Sequence, residues 1–300
     1  MNKFVDFIAV VFLKLLAALP FPLMYLLSDC AYFLVYRLMG YRKKVVFQNL
    51  RNAFPEKPEA EIGQIARKYY HHLCDIMLES VKLHHMSAEE MDKHLIIKGI
   101  EKTEAYFQQG KSFILLGMHY NNWEWCSSMQ RHSSHQVVIV YSPVRDNQKI
   151  ERFLLDSREK FGSETIPMHH TARRAMSFDQ ERKPGCLFLA ADQTSSKNSP
   201  FWTCFLHQET PFFFGPAKIA RKTNQPLFYL NVVKQKRGIY EARLEELVAE
   251  PARHSAQEME LIYIDKIEQI IREKPEYWLW SHRRWKHQRP EGKELIPRNH

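Results

Sequence analysis

Three hundred residues suit one large domain or two small ones, and a chain 45% hydrophobic and 13% aromatic can build a sizeable core, which excludes global disorder. A formal charge of +9 and a pI near 9.2 point to an anionic partner: nucleic acid, phospholipid headgroups, or a phosphorylated or acidic substrate. The five cysteines (Cys30, Cys74, Cys126, Cys186, Cys204) are odd in number and never spaced CxxC, against a disulfide framework or zinc ribbon and for a reducing compartment.

From Phe4 to Met39 the only charges are Asp6, Lys14, Asp29 and Arg37, among dense Leu, Val, Phe and Ala. A spanning helix needs ~20 apolar residues in a row, and here Lys14 interrupts the run before Pro20 and Pro22 bend it. The pattern predicts a helix to about residue 18, a Pro-bent turn, and a second helix capped near Ser28. Lys3 and Ala17-Ala18 also fit a signal peptide, but hydrophobic sequence continues well past that point. Residues 1–41 therefore read as an uncleaved membrane anchor, embedded in one leaflet rather than crossing it, with a buried N-terminal hairpin of a soluble fold as the alternative. Arg42-Lys43-Lys44, with Arg51 and Lys57 nearby, supply the charge expected on the cytoplasmic side.

Residues 42–89 form a basic, helical lead-in. Ile62, Ile65, Tyr69, Leu73, Ile76, Met77 and Val81 recur at helical spacing, predicting an amphipathic helix over 59–85. From residue 112 strands alternate with helices. Strands are expected at 113–116, 137–140, 165–166 and 187–191. Helices are expected from Asn121 or Asn122 to about Arg131, at 147–160, from Thr171, and at 215–223. A hairpin over 226–234 and 239–244 turns at Lys236-Arg237-Gly238, and a last helix covers 256–272. The fold class is α/β: a largely parallel central sheet flanked by helices over 90–290, an antiparallel edge hairpin, and a tail from 291 to 300. With only ten glycines and neither GxGxxG nor GxxxxGK[ST], no phosphate loop supports nucleotide chemistry.

Reactive groups in such sheets collect at the carboxyl ends of strands. His119 follows the 113–116 strand and Asp192 the 187–191 strand. In His119-x4-Glu124, a carboxylate in the first turn of a helix stays ionised and, bonded to one ring nitrogen, makes the other a better base. Asn121-x-x-Glu124 equally fits a capping box, with Glu124 bonded to the cap backbone. Cys126 reads as a small core residue rather than a nucleophile. The pairs His71-His72, His84-His85 and His169-His170 lack carboxylates or cysteines at ligand spacing, so no metal is expected. Trp278, Trp280 and Trp285, among Arg283, Arg284, Lys286 and Arg289, suit a membrane interface better than nucleic acid.

The block Gly117-Met118-His119-Tyr120-Asn121-Asn122-Trp123-Glu124-Trp125 resembles the first motif of the late lipid A acyltransferases, the lauroyl/myristoyl transferases of Gram-negative envelopes. Further blocks resemble that family in order: 46–56 after the anchor, Asn147 through Arg158 to Gly162, Ala191-Asp192-Gln193, Phe214-Gly215-Pro216-Ala217, and the closing stretch Pro275 to Lys286. The lysophosphatidic-type glycerolipid acyltransferases share the fold but carry His-x4-Asp and a later Glu-Gly-Thr-Arg. This chain has Glu124, and Asp192-Gln193-Thr194 without a following Arg.

The resemblance implies transfer of a fatty acyl group from acyl carrier protein to a hydroxyl of a lipid A precursor at the cytoplasmic face of the inner membrane, with no metal or organic cofactor. It implies a catalytic set of His119, Glu124, Arg158 and Asp192, and Asn122, Gln193, Gly215, Arg283 and Arg284 as candidate substrate contacts. Arg158 would stabilise the thioester oxyanion or grip a phosphate, and Asp192 would orient Arg158 or His119. A different lipid acceptor (lysophospholipid, aminolipid or glycolipid), or a silent lipid-binding protein that kept the fold, remains the alternative.

Overall fold

The computed structural model describes residues 3–143 and 147–298. The chain begins with α1 (Lys3–Ala18) and α2 (Phe21–Tyr32), which continues as one π-helical stretch, Phe33–Leu38. Ser28 does not cap α2. It lies inside the helix, fully buried, and donates to Asp75 at 2.7 Å, so a polar residue read as a stop is an interhelical contact. Among the described residues no helix is long and apolar enough to cross a membrane.

Next come α3 (Lys43–Ala53), α4 (Glu59–Lys82), α5 (Ala88–His94), β1 (Leu95–Lys98) and α6 (Glu101–Gln108). The predicted 59–85 helix is α4, and its apolar stripe Ile62, Ile65, Tyr69 and Ile76 is buried. α3 falls within the expected helical lead-in, whereas α5, β1 and α6 had no expectation of their own.

The expected alternation follows: β2 (Phe113–Gly117), β3 (Gln136–Tyr141), α7 (Gln148–Glu159), β4 (Glu164–Pro167), α8 (Thr171–Glu181) and β5 (Gly185–Ala190). Then come a small hairpin, β6 (Trp202–Phe205) with β7 (Gln208–Pro211), and α9 (Gly215–Thr223), β8 (Leu227–Lys236), β9 (Ile239–Val248) and α10 (Ala256–Glu273). α10 starts at a complete capping box between Ser255 and Glu258.

Among the described residues one sheet holds seven strands in the order β1-β9-β8-β2-β5-β3-β4, parallel throughout except for β8 against β9. The β8–β9 hairpin is thus not at the edge: β1 pairs parallel to β9 and covers it. Helices cover both faces. In β2, Ile114 and Leu116 enter one core cluster with α8, α9 and α10, while Phe113 and Leu115 enter a second with α5 and the end of α4. This two-residue alternation within a wholly apolar strand is the mark of a strand buried on both sides. Truncating Ile114 or Leu115 to Ala is expected to cost ~2–5 kcal/mol.

After α10 the chain crosses back over the strand ends. Tyr120 and Trp278 form an isolated antiparallel bridge, and Ile296 bridges Thr203.

Candidate active site

The register of β2 on β5 builds the centre of the site. Gly117 stands opposite Ala190, so His119 and Asp192, each two residues past its partner, emerge side by side at the carboxyl end of the sheet. The ring Nδ1 of His119 donates to Asp192 Oδ1 at 2.8 Å, and the indole Nε1 of Trp278 donates to Asp192 Oδ2 at 2.8 Å. Burial alone would push the Asp192 carboxyl up, but His119 and the indole outweigh it and hold the group below its usual range. With Nδ1 committed to Asp192, Nε2 of His119 has no hydrogen bond among the described residues.

The closing stretch locks this geometry through its backbone. The amide of Asn121 donates to Tyr277 O at 3.1 Å, and that of Leu279 to His119 O at 3.1 Å. Trp278 is therefore carried to Asp192 by a two-stranded pairing with the His119 segment.

Asn121 turns the chain with φ 51, a left-handed conformation that Asn tolerates, and its side chain donates to Val232 O. Asn122, fully buried, holds the turn into the next helix: its Oδ1 accepts from the Trp125 amide at 3.1 Å. The helix expected here is a 3₁₀ helix, Trp125–His132. Glu124 makes no capping box, and it is Asp192, not Glu124, that hydrogen-bonds His119. The Glu124 carboxylate instead grips Arg158 in a bidentate pair, Nε to Oε2 at 2.8 Å and Nη2 to Oε1 at 2.6 Å. Arg158 comes from the last turn of α7, which packs on the 3₁₀ helix. Burial opposes both charges, yet the pairing prevails: the Glu124 carboxyl is held below its usual range and the Arg158 guanidinium above. Trp123 joins the two halves, with its ring edge-on to His119 at 5.1 Å and its Nε1 donating to Glu124 Oε1 at 3.2 Å.

His119, Glu124 and Arg158 open onto a cavity of about 800 Å³. Ile139, Leu155, Phe188, Leu189, Phe213 and Ile219 supply an apolar wall, and Gln193 and Gly215 also line it. Gly215 begins α9, so first-turn N–H groups lie at this wall. The volume falls within the ~300–1,000 Å³ typical of small-ligand sites.

The other candidate contacts stand elsewhere. Asn122 supports the segment from below. Arg284 is 1% exposed, lies over the Phe212 ring and donates to Pro211 O at 2.8 Å, so it is a core residue. Arg283 is exposed, and among the described residues only its carbonyl is engaged, accepting from Thr194 Oγ1. Trp278 and Trp280 are buried, and Trp285 donates to Thr210, which corrects their reading as interface aromatics. Cys126 is buried with its thiol pushed up by burial, as expected of a core residue. The roles of Trp123 and Trp278 had no local signal, since both depend on partners distant in the chain or on ring orientation.

No curated protein matches this chain. A family model described as bacterial lipid A biosynthesis acyltransferase matches residues 1–287. A match over nearly the whole chain, together with a histidine–carboxylate pair at the mouth of an apolar cavity, leads to one conclusion: the protein is an acyltransferase and belongs to the bacterial lipid A biosynthesis acyltransferase family.

Proposed function

We propose that the enzyme moves a fatty acyl group from an acyl-carrier-protein thioester to a hydroxyl of a lipid A precursor, with His119 as general base. The observation that carries this reading is the Nε2 of His119, without a hydrogen bond among the described residues, beside a largely apolar cavity, with Nδ1 anchored on Asp192.

In the proposed sequence Nε2 takes the proton of the acceptor hydroxyl while its oxygen bonds to the thioester carbonyl carbon. Asp192 stabilises the imidazolium that forms. The tetrahedral intermediate then collapses, the carbon–sulfur bond breaks, and the imidazolium returns its proton to the departing thiolate. No acyl-enzyme is required. Glu124 acts through Arg158 rather than on His119. It holds the guanidinium at the cavity while Nη1, which has no partner among the described residues, is left for the carbonyl oxygen. The acyl chain occupies the apolar wall.

The N-terminal helices dock this centre on the cytoplasmic leaflet of the inner membrane. Phe7, Phe12 and Leu15 on α1 are 58%, 62% and 66% exposed, and Leu26, Leu38 and Met39 extend the apolar surface beside Arg42, Lys43 and Lys44. Apolar insertion with adjacent cations suits an anionic leaflet. In this reading residues 1–41 are the anchor, 42–89 the lead-in and 90–290 the catalytic domain.

The test is purified enzyme in vesicles with a radiolabelled acyl-carrier-protein thioester and a lipid A precursor, products being identified by mass spectrometry. Acylated precursor is expected from the wild type and none from His119→Ala. Transfer to a lysophospholipid alone would overturn the acceptor, and transfer retained by His119→Ala would overturn the base.

A further inference from the structure

Glu79, in the last turns of α4, is fully buried, yet its carboxylate meets three separate parts of the chain. Oε1 accepts from the Tyr25 hydroxyl of α2 at 2.8 Å. Oε2 accepts from Asn122 Nδ2 at 2.8 Å and from the Tyr240 hydroxyl of β9 at 2.8 Å. The Glu79 carbonyl also accepts from the Trp125 indole at 2.9 Å. Asn122 uses both ends of its amide: Nδ2 is held by Glu79, so Oδ1 is aimed at the Trp125 amide, where the 3₁₀ helix begins. Glu124, one residue earlier, depends on that start for its direction towards Arg158.

Tyr25 is seated by more than its hydroxyl. The Arg237 guanidinium lies over its ring at 4.6 Å. Gly238, with φ +73, leaves the space in which a Cβ would stand 2.0 Å from the Tyr25 oxygen. Arg237 also binds Asp29 of α2 and Asp75 of α4. The α2 helix is thus clamped at a single face, and that face leads through one carboxylate to the segment between His119 and Glu124.

We infer that Glu79 is a positioning residue that couples docking of the N-terminal α2 helix, through Tyr25, to the geometry of the His119–Glu124 segment. This rests on the reading of that segment as the catalytic motif. The α1–α2 pair then does two separable things: its exposed apolar stripe meets the bilayer, while its inner face keeps the motif in register. A helix that undocks from α4 releases one donor of Glu79 and loosens the bond between Asn122 and the Trp125 amide. Small displacements of a reacting group cost turnover more than binding.

Tyr25→Phe removes the one hydroxyl and keeps the ring. Amide exchange at Trp125, Cys126 and Ser127 is expected to quicken about tenfold. Turnover should fall about tenfold with KM for the acyl thioester within twofold and vesicle binding unchanged. Tyr106→Phe, which removes a surface hydroxyl bonded to Glu246, is the control and should leave all three readouts alone. Glu79→Gln, which keeps one acceptor, should be impaired less than Glu79→Ala. The exchange readout needs no turnover, so it stands even if another group proves to be the base. Unchanged exchange and turnover in Tyr25→Phe would overturn the coupling, as would a turnover loss that tracks lost vesicle binding.

Discussion

His119 donates from Nδ1 to Asp192 across 2.8 Å, although 73 residues separate the two in the chain. The contact is a product of strand register: β2 and β5 pair so that Gly117 faces Ala190, and the two side chains emerge together. Asp192 is 1% exposed and its second oxygen is occupied by Trp278. Its first oxygen is thereby left to the imidazole. A carboxylate so placed fixes the tautomer and stabilises the imidazolium of the proposed proton transfer.

From this pairing, Asp192→Asn should lower kcat by about 10²–10⁴-fold, with a smaller effect on KM. Trp278→Phe, which removes only the indole donor, should lower it by about tenfold. Steady-state kinetics on folded protein, verified by circular dichroism, checks both. Full activity in Asp192→Asn would remove this residue from the machinery.

The Glu124–Arg158 pair separates folding from catalysis. Both side chains are largely buried, at 13% and 21% exposure, so removing one leaves the other charge uncompensated. Glu124→Leu or Arg158→Met alone should destabilise by roughly 3–5 kcal/mol, whereas the double variant should recover most of that. Acyl transfer should stay lost in all three. Chemical denaturation and an acyl-transfer assay give the two readouts, and a double variant that regains activity would reduce the pair to a structural device.

Much of this arrangement was legible because the strands are short apolar runs and the reactive residues follow them directly. The expected strand 113–116 and the helix at 215–223 are β2 and α9 nearly to the residue. What sequence did not carry was partner choice. Glu124 has a histidine five residues away and an arginine 34 residues away, and spacing favours the near one. The left-handed turn at Asn121 and the 3₁₀ geometry after it direct the carboxylate to Arg158.

The β6–β7 hairpin had no turn signal for a related reason. Its two-residue loop is Leu206-His207, both at positive φ, where Asn or Gly is the usual signal. Leu206 is fully buried, and tertiary packing overrides the local preference. Basic neighbours suggest an interface for the tryptophans near the end, but the chain turns Trp278 inward onto Phe205 and Asp192 and Trp280 onto Phe54.

The cavity wall yields a prediction about the acyl group. Ala190, on the last position of β5, lines the cavity with little side chain of its own. Ala190→Leu should fill space near His119 and lower kcat/KM for long acyl thioesters by about tenfold, with short ones affected least. Rates across a series of acyl chain lengths test it, and an unchanged preference would place the acyl chain elsewhere.

Stability should also depend on pH through Glu260, which is 3% exposed and has an oxygen without a partner among the described residues. Burial pushes its carboxyl from 4.5 up to about 8, against the pull of buried Arg284. Below pH 4.5 the group is protonated in both folded and unfolded states, so the native state is not penalised. Between 4.5 and about 8 the unfolded chain ionises while the folded one stays protonated, so stability is lost as pH rises through that window. Glu260→Gln cannot ionise and should lack this component. It should match the wild type near pH 4.5 and exceed it at pH 8 by roughly 1–3 kcal/mol in urea denaturation. If the variant is instead less stable at every pH, Glu260 is ionised in the native protein and its charge is held by Arg284.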